Sequence, residues 1–205
     1  MKNLMEKLYN NLDEAVAFAI DFKDMIYHCD DSNFYDYVNI SCEKCENHTQ
    51  IHDIISTKSY CKKEYGELLI GFGVSIEIKN DLIEKFDIRE EDFRAVRNKV
   101  DNVIYYQITP THTMLPNSKT MDWHYEPCSL CNSKKYWRKV KFNEKKEEFY
   151  YISQEVLEDL HDINVSYERF SGWLPIYVVS RRVYEYFAEY YPRAKFSPMF
   201  LKKDE

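Results

Sequence analysis

Two pairs of cysteines are the residues of this chain that are best suited to chemistry. Cys42 and Cys45 form the first Cys-x-x-Cys pair, and Cys128 and Cys131 form the second. A turn of this kind presents two thiolates along one edge of a tetrahedron, which suits zinc, and a structural zinc site needs four ligands. The simplest prediction is one structural zinc ion per chain, bound by all four cysteines.

A local site built on the first pair is the alternative. Further ligands of the types that zinc accepts follow this pair closely, and they are His48, His52 and Cys61. If the first pair used these residues, the second pair would have only His112 or His124 as nearby partners. Both arrangements satisfy the preference of zinc for sulfur and nitrogen ligands.

A fold without metal also stays open. Zinc knuckles often carry glycine directly after the second cysteine, because the turn favours a positive φ, but this chain has Glu46 and Asn132 there. Asn tolerates that backbone conformation and Glu does so poorly. Thiol exchange is disfavoured, because it usually needs a cysteine between a strand and an amphipathic helix, and neither pair has that setting.

Composition limits the classes of partner. The chain has 28 basic and 35 acidic residues, a net charge of −7, which disfavours nucleic acid because phosphate affinity comes from Lys and Arg. A basic partner protein is favoured instead. The sequence lacks the apolar stretch of a membrane helix or a signal peptide, so we expect a cytoplasmic protein. In that reducing compartment cysteines are expected to be thiols or metal ligands.

The N-terminal segment, residues 1–30, is predicted to be an amphipathic helix. Apolar residues recur at steps of three and four from Leu4 to Ile26, and Asn3 offers a start signal. This spacing places apolar side chains on one face of a helix that covers residues 3–27.

A strand followed by a serine-capped helix is predicted twice. Val74 ends one expected strand and Val179 ends another, and in both cases the next residue is a serine that can cap a helix. A segment that contains Phe follows each helix, at Phe93 and Phe196. Each half of the chain also contains one cysteine pair. This repeated order indicates a duplicated architecture.

These patterns together predict an α+β fold. We expect two similar strand-helix halves with mixed sheets, a structural zinc-knuckle-like element and the N-terminal helix. The halves are residues 31–110 and 111–205, either separate or joined in one compact domain. Local patterns further predict a strand at 103–110, a hairpin at 140–152, a short helix capped by Ser153, and a helix over 181–190 that Pro192 ends.

The order of these motifs also carries a resemblance to a known family. From about residue 40 to about residue 200, the first cysteine pair, Val74-Ser75, Tyr106-Gln107, the second pair and Val179-Ser180 follow one another. This order resembles that of the double-CxxCG motif proteins and of related immunity proteins of bacterial polymorphic toxin systems. The resemblance implies a non-enzymatic, zinc-binding cytoplasmic protein that binds and neutralises a cognate toxin, and a basic toxin is the expected partner. The alternative function is a zinc-ribbon adaptor for another protein or a nucleic acid.

Overall fold

The computed structural model describes eleven stretches of the chain, which belong to two compact units. The described residues are 12–20, 38–44, 47–50, 52–56, 65–67, 71–116, 124–130, 134–137, 151–170, 174–192 and 194–202. Unit 1 comprises Met1–Asp21, His112–Pro127 and Lys134–Glu205. Unit 2 comprises Phe22–Thr111 and Cys128–Ser133. Each unit is therefore built from segments that are distant in sequence.

Fourteen strands and three α-helices run through the described residues. The first seven strands are β1 (Ala15–Ile20), β2 (Val38–Cys42), β3 (Asn47–Gln50), β4 (Ile55–Ser56), β5 (Tyr65–Glu67), β6 (Phe72–Val74) and β7 (Phe93–Asn98). The second seven are β8 (Val103–Ile108), β9 (His124–Pro127), β10 (Lys134–Trp137), β11 (Tyr151–Ile152), β12 (Ile163–Phe170), β13 (Leu174–Ser180) and β14 (Phe196–Leu201). The helices are α1 (Ile76–Lys85), α2 (Gln154–Glu158) and α3 (Arg181–Tyr190). Within the described residues, no helix is long and apolar enough to cross a membrane.

Each unit contains one five-stranded mixed sheet. In unit 2 the strand order is β4-β7-β8-β6-β5, with β4 parallel to β7 and the other neighbours antiparallel. In unit 1 the order is β11-β14-β1-β13-β12, with β11 parallel to β14 and the other neighbours antiparallel. Two antiparallel hairpins, β2 with β3 and β9 with β10, form two-stranded sheets of their own. The predicted α+β class with mixed sheets is confirmed.

The two five-stranded sheets match in register as well as in strand order. Pairs of residues that face each other across neighbouring strands recur at equivalent positions of the two sheets, with one constant offset for each pair of equivalent strands. The matching pairs, with unit 2 given first, are Val74–Tyr106 and Val179–Phe18, Phe93–Ile108 and Phe196–Ile20, and Ile55–Arg97 and Tyr151–Phe200. Each of the first seven strands therefore has a counterpart seven strands later, so the described strands form a first repeat, β1–β7, and a second repeat, β8–β14.

The first strands of the two repeats are exchanged between the sheets. β1 opens the first repeat, yet it is the central strand of unit 1, between β13 and β14 of the second repeat. β8 opens the second repeat, yet it is central in unit 2, between β6 and β7 of the first repeat. The predicted similarity of the halves is therefore present, and each sheet contains one strand from the other repeat.

The predicted N-terminal helix is wrong where the structure describes it. Leu12–Glu14 is a 3-10 turn and Ala15–Ile20 is strand β1, whereas the rest of the predicted helix lies outside the described residues. All the residues of β1 are apolar and most are buried, because strands pair with both of its edges and side chains cover both of its faces. A continuous apolar run also matches a helical spacing of three and four, so periodicity alone does not separate the two structures.

The predicted serine caps are confirmed. The Oγ atoms of Ser75, Ser153 and Ser180 accept hydrogen bonds from the backbone N–H three residues later, at 3.3, 3.3 and 3.4 Å. Each bond satisfies an N–H group that the first turn of a helix leaves without an intrahelical partner. Helix α3 ends at Tyr190, just before Pro192, as predicted.

Two further predictions concern strands. The strand predicted at 103–110 is present as β8. Of the hairpin predicted at 140–152, the structure describes only the last two residues, which form β11, and the remainder lies outside the described residues.

Equivalent helices bury different side chains against their central strands. In unit 1 the ring of Tyr184 stacks on Phe18, with centroids 3.7 Å apart. At the equivalent position of unit 2, the ammonium of Lys79 lies 4.5 Å from the ring centroid of Tyr106 and also pairs with Glu90. Unit 1 thus uses aromatic stacking where unit 2 uses a buried cation over a ring.

Candidate metal centre

The two predicted half-sites lie at equivalent places in the two repeats. Cys42 is the last residue of β2, and Cys128 directly follows β9. A turn begins after each cysteine, at Glu43 in the first case and at Ser129 in the second. Cys42 therefore lies where the β2–β3 connection begins and Cys128 where the β9–β10 connection begins, and both residues belong to unit 2.

The fold brings one cysteine of each pair together. The Sγ atoms of Cys42 and Cys128 lie 3.8 Å apart, although the residues are 86 positions apart in sequence. Neither residue belongs to a disulfide, and both are buried, with exposed fractions of 5% and 9%. The separation is well beyond an S–S bond of about 2.05 Å, so the two sulfurs are not bonded to each other.

This separation fits two ligands of one zinc ion. Zinc binds thiolate sulfur at about 2.3 Å with tetrahedral angles, so two sulfurs on the same ion lie about 3.8 Å apart. Soft thiolate ligands also favour zinc over magnesium or calcium. Cys42 and Cys128 therefore fit one edge of a tetrahedral site that takes one ligand from each repeat.

The full ligand set and the zinc-knuckle-like element stay predictions. Cys45 and Cys131, the second cysteine of each pair, lie outside the described residues. Among the residues that are described, no three His, Cys, Asp or Glu side chains gather where a metal ion could be held. The four-cysteine site therefore rests on one observed sulfur pair and on the spacing of two residues within each Cys-x-x-Cys turn.

The candidate ligands of the local site are described only in part. The side chain of His48 in β3, like Cys61, lies outside what the structure describes. His52 is exposed, and it lines an open surface cavity together with Ile55, the end of β7 and the turn that joins β7 to β8. His52 therefore lies at the edge of the unit 2 sheet, near strand β4.

The histidines considered for the second pair belong to unit 1. His112 Nε2 lies 3.2 Å from Asp159 Oδ2, and its ring stacks on His161 with centroids 3.8 Å apart and planes 2° apart. The backbone carbonyl of His112 also accepts a hydrogen bond from Val165 of β12. The side chain of His124 lies outside what the structure describes. The contacts of His112 with Asp159, His161 and Val165 are therefore all within unit 1.

A contact between the two cysteine turns was not predicted. The ammonium of Lys44 donates a hydrogen bond to Ser129 Oγ. Lys44 lies between Cys42 and Cys45, and Ser129 lies between Cys128 and Cys131. A long cation in one turn and a hydroxyl in the other are visible in the sequence, but only the fold shows that the turns face each other.

The serines at the strand ends act as helix caps. Ser180 caps α3 and donates a hydrogen bond to Asp162 Oδ1 at 2.6 Å, and Arg182 binds the other carboxylate oxygen. Ser75 caps α1 and also interacts with the side chain of Glu77. The backbone amide of Glu77 first, and then Ser75, hold the pKa of this carboxyl below its usual range. These contacts are those of helix N-termini.

Comparisons with known proteins add no assignment. No protein-family model matches this chain, and neither the curated proteins nor the solved structures contain a significant match. The chemistry of the described residues is therefore the basis for a functional proposal.

Proposed function

We propose that this chain is a non-enzymatic, cytoplasmic immunity protein, held together by a structural zinc ion, that binds and neutralises a toxin protein. The observation that supports the metal is the 3.8 Å separation of Cys42 Sγ and Cys128 Sγ. We propose Cys45 and Cys131 as the other two ligands, because a Cys-x-x-Cys turn offers both of its sulfurs to one ion. Bound zinc would supply a structural cross-link between the two cysteine turns.

The toxin-binding role rests on two arguments. The first is the resemblance of the motif order to immunity proteins of polymorphic toxin systems. The second is the net charge of −7, which favours a basic protein partner and speeds association through electrostatic steering. A zinc-ribbon adaptor that binds another protein or a nucleic acid is the alternative.

Zinc content tests the metal. Protein purified under reducing conditions without chelators should contain one zinc ion per chain by elemental analysis. Cys42→Ser and Cys128→Ser should each lose it, because three thiolates leave a structural tetrahedral site incomplete. Cys61→Ser is the matched control, and it should retain the metal. Zinc that survives Cys128→Ser but not Cys61→Ser would instead establish the local site, and wild-type protein without zinc would refute the metal.

Co-expression tests the partner. The candidate toxin is the protein encoded beside the gene for this chain, and its toxicity to a bacterial host should disappear when this chain is co-expressed. The purified pair should bind with an association rate that falls as salt is added, because salt screens the attraction between opposite charges. Absence of both protection and binding would contradict the immunity role. Binding to DNA or RNA that weakens steeply with salt would favour the adaptor.

A further inference from the structure

We infer that Lys44 and Ser129 form an outer clamp of the metal centre, in which Lys44 bridges the two cysteine turns and sets a positive charge beside the thiolates. This inference rests on the proposed zinc site. It concerns how the chain tunes its affinity for the metal rather than which residues bind the metal directly.

The hydrogen bond from Lys44 to Ser129 joins the two cysteine turns at a place separate from the sulfur pair. The residues of the clamp are 85 positions apart, and both are exposed next to buried cysteines. Ser129 is covalently adjacent to Cys128, so an ammonium that is hydrogen-bonded to its Oγ lies beside the second half-site although it belongs to the first. The clamp therefore spans the same two hairpin connections that the metal would span.

The charge of the clamp is complementary to that of the site. The proposed four thiolates around one zinc ion would carry a net negative charge, so a nearby ammonium would favour the metal-bound state through the attraction of opposite charges. Groups that surround the ligands in this way commonly change metal affinity by about 10- to 100-fold when they are removed. Because both clamp residues are exposed to solvent, we expect the lower end of that range.

The duplicated fold provides a matched control. The residue equivalent to Lys44 in the second turn is Leu130, which is two positions after Cys128 and is 69% exposed. The two repeats thus differ at this position, where one carries a cation and the other an apolar side chain. A truncation of each side chain to alanine removes a similar exposed group from equivalent turns, and only one of them removes the charge.

Competition for zinc between the protein and a chromogenic chelator tests the clamp. Lys44→Ala should weaken zinc affinity by about tenfold, whereas Leu130→Ala should change it by less than about twofold. Lys44→Arg should restore most of the affinity, because it keeps the charge and a donor. Ser129→Ala should have an intermediate effect and should add little to Lys44→Ala, since both remove the same contact.

The outcomes separate this inference from the proposed zinc site. If the wild type binds zinc and Lys44→Ala binds it equally well, the clamp is wrong and the zinc site stands. If the wild type binds no zinc, both are wrong. Equal losses for Lys44→Ala and Leu130→Ala would also overturn the clamp, because they would indicate a general effect of truncating the turn. Circular dichroism on the zinc-loaded variants should be unchanged, because both side chains are exposed.

Discussion

Replacement of Phe18 by alanine is the most direct test of the strand exchange. Phe18 is in the middle of β1, it is fully buried, and it pairs with Val179 on one side and Pro198 on the other. Its ring stacks on Tyr184 of α3 with planes 10° apart. Phe18→Ala therefore removes a core side chain that residues from the opposite end of the chain surround.

The expected cost is large. Truncation of a buried Phe to Ala typically lowers the free energy of unfolding by about 3 to 5 kcal/mol, because the lost burial and the cavity both contribute. Loss of the stacked contact, about 0.5 to 1.5 kcal/mol beyond area burial, favours the upper part of that range. A domain of ordinary stability has about 5 to 15 kcal/mol in total, so unit 1 should be close to unfolding.

Urea unfolding followed by circular dichroism measures the loss, and hydrogen exchange locates it. Amides of β13 and β14 should exchange faster in Phe18→Ala, because these strands are hydrogen-bonded to β1. Tyr167→Ala is the control, since that aromatic residue lies on β12 of the same unit and is 40% exposed. If Phe18→Ala cost no more than Tyr167→Ala, residues 15–20 would not be the central strand of this sheet.

Three further predictions concern the helices. Ser75→Ala should lower the free energy of unfolding by about 1 kcal/mol, because it removes a helix cap. Ser180→Ala should lower it further, because it also removes the hydroxyl that donates to Asp162. Chemical denaturation measures both losses, and equal losses would contradict the role of Asp162. The lowered pKa of Glu77 means that its charge stabilises the fold above the usual carboxyl pKa and that this contribution is lost as pH falls through the lowered value. Glu77→Gln should therefore cost about 0.3 kcal/mol at neutral pH and nothing in strong acid, and a pH-independent cost would refute this assignment. Lys79→Met should cost less than about 1 kcal/mol by thermal unfolding, because an apolar chain of similar length replaces a buried ammonium, and a loss above about 3 kcal/mol would show that the cation itself is required.

Local signals in the sequence were sufficient for the helices. The Val-Ser pairs predicted, to within a residue, where β6 and β13 end and where α1 and α3 begin, because a serine after an apolar strand satisfies the first turn of a helix without help from distant residues. Pro192 predicted the end of α3 for the same kind of local reason. The prediction for β1 failed because its apolar run is compatible with a strand and with a helix, and the choice depends on partners that lie far along the chain.

For the candidate metal centre too, the sequence determined some features and the tertiary structure determined others. The sequence by itself determined which side chains can bind a soft metal, because the spacing within each Cys-x-x-Cys turn is a local property. It left open whether the two pairs meet, and it gave no sign that Lys44 and Ser129 are in contact. Only the tertiary structure decided that Cys42 lies beside Cys128 and that β1 and β8 change places. Contacts of this kind depend on which distant segments bury their apolar faces against each other and form backbone hydrogen bonds with each other. The spacing of residues within one segment does not determine this.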